Sequence, residues 1–94
     1  MALFVDETTL VKRPEVDEDE QMEYGYIISE SEKEGRTITV RWWYPVKAKE
    51  KLGEIREVTG VVRKIDTSNR RIRVENMNDS VWIDVAKIVR VSTN

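Results

Sequence analysis

The segment Thr59–Glu75, TGVVRKIDTSNRRIRVE, decides the fold of this chain. Apolar and charged residues alternate on both sides of Asp66–Asn69, as they do in β-strands. Because Asp, Ser and Asn favour turns, the segment predicts a hairpin. Val62 and Ile65 can both face the core only if the alternation slips by one residue, which indicates a bulge. Gly60 would ease the accompanying bend.

The same period of two extends outward from this hairpin in both directions. Upstream, Pro45 is expected to end a strand, and the charged segment Val46–Gly53 is expected to be a loop. Downstream, Asp84–Lys87 has the pattern of a capped helical turn. The predicted strands are Thr37–Tyr44, Ile55–Ile65, Arg71–Glu75, a short one around Val81 and Ile83, and Ile88–Val91.

A helix is predicted before the strands. Asp17 and Glu20 form a capping-box pattern at its start, and Gly35 suits a left-handed cap at its end. Gly25 costs about 1 kcal/mol in the middle of a helix. The predicted buried stripe consists of Met22, Tyr24, Tyr26, Ile27 and Ile28.

The chain divides into an arm and one domain. Residues 1–16 show neither the helical period nor the strand period of two, so we expect a mobile arm. This arm could be a disordered tail or a docking peptide. Residues 17–94 are expected to form the helix and a small β-barrel. The predicted class is mainly β (α+β), with an N-terminal helix and a five-stranded, strongly bent antiparallel barrel.

Composition limits the chemistry that this chain can perform. Its 94 residues include no cysteine and no histidine, which excludes histidine-based triads, cysteine nucleophiles and zinc-finger sites. We therefore expect a protein that is not an enzyme and holds no metal or cofactor. The absence of cysteine favours the cytoplasm, and neither a secretory signal nor a membrane span is expected.

Charge is distributed unevenly along the chain. Residues 1–34 carry eleven acidic and three basic side chains, whereas residues 35–94 carry seven acidic and thirteen basic ones. An acidic first third on a basic body indicates either two partner surfaces or one surface that shields the other.

The chain resembles the YolD-like family of small bacterial and phage proteins. The resemblance lies in PEVDEDE, ITVRWWY, VTGVVRKIDTSNRRIRV and WIDVAKIVRV, within residues 14–92. It implies an Sm-like, SH3-like small barrel. It also implies an accessory partner of a Y-family translesion DNA polymerase in DNA damage tolerance and the SOS response. A basic, Trp-containing motif common near the family's N-terminus is replaced here by ALFVDETTLVKRP.

Two groups of residues are candidate binding sites. Phe4, Leu10, Trp43 and Trp82 are predicted to contact a protein partner, because the arm is apolar and both tryptophans fall on the outward phase. The alternative is that the helix or the arm covers them. Cations form a candidate nucleic-acid surface, for which the alternative is a solvated outer face. They are Arg41, Arg63, Lys64, Arg70, Arg71 and Arg73. A self-associating homo-oligomer is a third reading, because small barrels keep edge strands.

Overall fold

The computed structural model describes residues 10–93, which form one helix and six strands around a single core. The strands are antiparallel and follow the order β5-β4-β3-β2-β6, with β1 added beside β3. No helix in this part of the chain is long and apolar enough to cross a membrane. The elements are β1 (Val11–Lys12), α1 (Glu18–Glu34), β2 (Ile38–Lys47), β3 (Leu52–Asp66), β4 (Arg71–Glu75), β5 (Ser80–Asp84), a 3₁₀ turn (Val85–Lys87) and β6 (Ile88–Thr93).

The predicted helix caps are confirmed. Asp17 accepts a hydrogen bond from the Glu20 backbone N–H at 2.9 Å. Gly35 ends α1 in the left-handed region at φ 70°, where a residue without Cβ is favoured. The Glu20 carboxylate accepts a hydrogen bond from the Tyr24 hydroxyl at 3.2 Å, which secures the first two turns.

The buried face of α1 differs from the predicted stripe. Ile28 and Ser31 are buried, and Tyr24 and Ile27 pack against the core from the side. The prediction is wrong for Met22 and Tyr26, whose side chains are 64% and 72% exposed. The helix packs on β3 and β6 through one narrow face, and these two residues point away from it.

The β2–β3 hairpin is longer than predicted. Pro45 does not end β2, because the strand continues to Lys47 through an irregular register. On its other edge, β2 pairs with β6 only as far as Trp42. Proline has no backbone N–H, but at position 45 it interrupts no hydrogen bond to β6, so β2 can continue through it. The expected loop Val46–Gly53 therefore shrinks to a turn at residues 48–51.

Strand β3 is bent and links two halves of the sheet. Up to Gly60 it pairs with β2, and from Val61 it pairs with β4. A Cβ on Gly60 would collide with the backbone oxygen of Glu75, so only glycine allows this approach. The predicted bulge is confirmed by a register shift between Val62 and Lys64. The bulge places Ile65 opposite the buried Ile72, on the core side of the sheet as predicted, although its side chain remains 36% exposed.

The sheet is open, which corrects the prediction of a closed barrel. Strand β5 pairs with β4 and β6 pairs with β2, whereas β5 and β6 are not neighbours. The chain leaves β5 through a 3₁₀ turn that Asp84 caps by accepting from the Ala86 N–H at 2.9 Å. This turn carries the chain to the other half of the sheet before β6 can pair with β5. The core lies inside the bend, and its buried members are Ile28, Ile38, Val40, Trp42, Val62, Ile72, Val74, Ile83, Ile88 and Val91.

Part of the predicted arm belongs to the sheet. Val11 and Lys12 pair with Gly53 and Leu52, so this stretch is not a free tail. Periodicity cannot reveal such a strand, because two residues are too few to show a period.

Candidate binding surface

The Thr59–Glu75 hairpin and the neighbouring strand β5 place several candidate residues on one surface. Strand register sets Lys64, Arg73 and Trp82 side by side across β3, β4 and β5. The Arg71 guanidinium lies over the Trp82 ring, 4.3 Å from its centroid. We call Arg63, Lys64, Arg71, Arg73 and Trp82 the outer hairpin face. The predicted exposure of Trp82 is confirmed at 39%.

Carboxylates neutralise most of the cations on this face. Arg63 lies 3.4 Å and Arg73 4.0 Å from Glu75, and Arg71 lies 3.5 Å from Asp66. Exposed pairs of this kind contribute only about 0–1 kcal/mol each to stability. They do lower the local positive potential, however, which makes the face a weaker track for phosphates than its sequence indicates.

The other predicted cations lie elsewhere. Arg41 pairs with Glu57 at 2.6 Å on the β2–β3 half of the sheet. Arg70 sits in the β3–β4 turn at φ 53° and faces a different surface. The six candidate nucleic-acid residues therefore do not form one continuous basic track.

Asp66 organises the turn that presents the outer hairpin face. Its carboxylate accepts from both the backbone and the side chain of Asn69, at 3.1 and 2.9 Å. These hydrogen bonds, and then the nearby Arg71, hold the pKa of Asp66 below its usual value. The carboxyl is thus a structural element of the turn, as the Asx pattern predicted.

Trp43 is buried, so its predicted exposure is wrong. Only 7% of the side chain is exposed, and its Nε1 donates to the Val11 carbonyl at 2.9 Å. A Cβ on Gly53 would lie 2.7 Å from the indole ring, so this glycine makes room for it. Alternation places Trp43 on the outward phase correctly, but β1 covers that position.

Of the two candidate residues in the arm, the structure describes only Leu10. Leu10 is half-buried next to β1. Phe4 lies outside the described residues, so its predicted role in partner binding stays a prediction.

Within residues 10–93, no group of three or more Asp or Glu side chains is arranged to hold a metal ion. The acidic side chains of the first turn, Glu18, Asp19 and Glu20, follow one another at the start of α1, where the helix dipole favours anions.

These features define a small α+β protein in which one capped helix packs on an open, bent antiparallel sheet. Residues 3–92 match the family model described as YolD-like protein. The chain belongs to the YolD-like family. It matches no curated protein and no solved structure.

Proposed function

We propose that this chain is a non-enzymatic, cytoplasmic accessory protein that binds a Y-family translesion DNA polymerase during DNA damage tolerance. Membership of the YolD-like family supports the polymerase as partner, and the absence of cysteine supports the compartment. The observation that carries a binding role is the outer hairpin face, where an exposed tryptophan lies under an arginine.

The chemistry of this face suits protein contact. Tryptophan and arginine are the residues most enriched among binding hot spots, because they supply large contact areas and directional donors. Here the rigid hairpin fixes both side chains before binding, which reduces the entropy lost in the complex. The paired carboxylates of Asp66 and Glu75 limit non-specific attraction to phosphates.

Coexpression tests this proposal. The chain is coexpressed with the Y-family polymerase of the same genome, and the complex is sought by size exclusion with light scattering. We expect a complex at micromolar concentration, and Trp82→Ala should weaken it about tenfold or more, as hot-spot truncations do. Met77→Ala is the matched control, because Met77 is fully exposed in the β4–β5 turn, away from Trp82. No complex, together with unchanged primer extension across a lesion, would refute the proposal.

Self-association is the second candidate, and the open sheet favours it. Strands β5 and β6 each present one edge without a strand partner among residues 10–93. Free edges can pair with another chain. Light scattering of the isolated chain tests assembly: a mass of 11.0 kDa at every concentration would rule it out.

We also propose that the fold is an open relative of the Sm-like small barrel, consistent with its bent sheet and N-terminal helix.

A further inference from the structure

A groove of about 980 Å³ lies beside the β3–β4 turn, and none of the residues of the outer hairpin face line it. Four segments enclose it: residues 13–16, the first half of α1, the turn at 67–70, and residues 85–89. Its floor is largely apolar and includes Val16, Tyr24, Ile28, Val85 and Ile88. Burial is the main reason that the pKa of the Tyr24 hydroxyl is raised, so this floor carries no charge at neutral pH.

Gly25 lies in the lining of the groove and has no packing role among residues 10–93. A Cβ at this position would meet no atom of that part of the chain within 4 Å. Glycine inside a helix costs about 1 kcal/mol relative to alanine, and close packing against a neighbouring element is a common reason to keep it. No element of the described chain approaches here, so the space above Gly25 can receive a molecule from outside this part of the structure.

Unpaired cations surround the groove. Six of the nine arginines form ion pairs with carboxylates: Arg36, Arg41, Arg56, Arg63, Arg71 and Arg73. Between residues 10 and 93 the other three, Arg13, Arg70 and Arg90, have none. Arg13 and Arg70 line the groove together with Lys87. Around the Tyr24 hydroxyl, the carboxylates of Glu20 and Glu23 oppose the charge of Arg90. One carboxylate, Glu15, lies in the same lining.

We propose that this groove binds an acidic segment of a partner protein, with a large apolar side chain of that segment seated on the Tyr24–Ile28 floor. Charge complementarity selects the occupant, because Arg13, Arg70 and Lys87 meet around one apolar surface whose lining holds a single carboxylate. A nucleic acid would use the same cations but would leave the aliphatic floor unfilled. The inference depends on the groove alone and holds whether or not the partner is a polymerase.

Selection from a peptide library tests the proposal. A phage-displayed library of random peptides of about twelve residues, long enough for an extended or helical segment, is panned against the full chain. We expect enrichment of sequences that combine Asp or Glu with a large apolar residue. Enrichment of basic or uncharged sequences would overturn the proposal, as would no enrichment at all.

Variants then locate the binding of a synthetic copy of an enriched peptide. Arg13→Glu, Arg70→Glu and Lys87→Glu together should weaken it about tenfold or more, because attraction becomes repulsion. The control combines Lys33→Glu, Lys49→Glu and Lys51→Glu, which changes net charge equally outside the groove and the outer hairpin face and should alter affinity by no more than about twofold. Equal losses in both variants would overturn the assignment.

A second variant separates binding from folding. Gly25→Leu extends into the groove from a position where an added Cβ meets no atom of residues 10–93 within 4 Å, and leucine favours the helix. It should keep or raise the melting temperature and abolish peptide binding, whereas Tyr26→Leu on the exposed face should leave binding intact. Unchanged binding in Gly25→Leu would overturn the proposal. Binding of a single-stranded DNA of about 20 nucleotides would also overturn the proposal, if that binding is lost in the groove-cation variant and kept in the control variant.

Discussion

Replacing Ser31 by alanine tests how the helix is attached to the sheet. Ser31 is completely buried in α1. Its hydroxyl donates to the Arg36 carbonyl at 2.7 Å and accepts from the Val62 N–H at 3.0 Å. Val62 lies beside the β3 bulge, where the ladder to β4 shifts register. The serine thus provides the partner for a buried N–H next to the interruption in the ladder.

The expected cost follows from these two bonds. Losing the partner of the buried Val62 N–H costs about 1–3 kcal/mol, and losing the donation to Arg36 adds about 1 kcal/mol. We therefore expect the free energy of unfolding of Ser31→Ala to fall by about 3 kcal/mol. For a domain of this size the melting temperature should fall by roughly 12–24 °C.

Urea denaturation followed by tryptophan fluorescence measures this change. The dependence of stability on urea should keep its slope, since the surface exposed on unfolding is unchanged. Ser29→Ala is the matched control: it makes the same substitution in the same helix, loses no side-chain hydrogen bond to any residue between 10 and 93, and should stay within about 0.5 kcal/mol of the parent. If the free energies of unfolding of the two variants differ by less than about 1 kcal/mol, the Ser31 hydroxyl does not provide the hydrogen-bond partner that the Val62 N–H needs beside the bulge.

Three further substitutions have definite expected outcomes. Gly60→Ala should destabilise the fold by about 3 kcal/mol, because the new methyl meets the Glu75 backbone; a thermal melt like that of the parent would contradict the close approach. Gly25→Ala should instead stabilise it by up to about 1 kcal/mol, and a lower midpoint in urea would show that the site is crowded. Asp66→Asn should lower stability at neutral pH. Since the folded pKa of Asp66 is depressed, the difference from the parent should shrink as pH falls from about 4 through that lowered pKa, and a pH-independent difference in melts would argue against the charged turn.

The two binding surfaces have different chemistry. The outer hairpin face pairs its arginines internally and offers an aromatic anchor, whereas the groove leaves its cations free above an apolar floor. Arg70 and Arg71 are adjacent in sequence, yet they serve different surfaces. Arg70 adopts a positive φ at the end of the turn and lines the groove, whereas Arg71 begins β4 and lies over the Trp82 ring.

Local patterns in the sequence determined much of this fold. The Asp17 and Gly35 caps, the Asp66 turn and the β3 bulge were all predicted, because each depends on contacts within a few residues. Strand periodicity correctly placed Ile72, Val74 and Ile83 in the core. The same alternation correctly predicted that Trp82 is exposed.

Tertiary structure alone decided the remaining features, because they depend on segments far apart in the sequence. Alternation put Trp43 outside, and only the pairing of β1 with β3 buries it. The bonds that Ser31 makes could not be predicted, since the Val62 N–H becomes available only at the bulge. The groove likewise assembles Arg13, Arg70 and Lys87 from three segments. Periodicity predicts which side of its own strand or helix a residue occupies, but what lies against that side depends on how the whole chain folds.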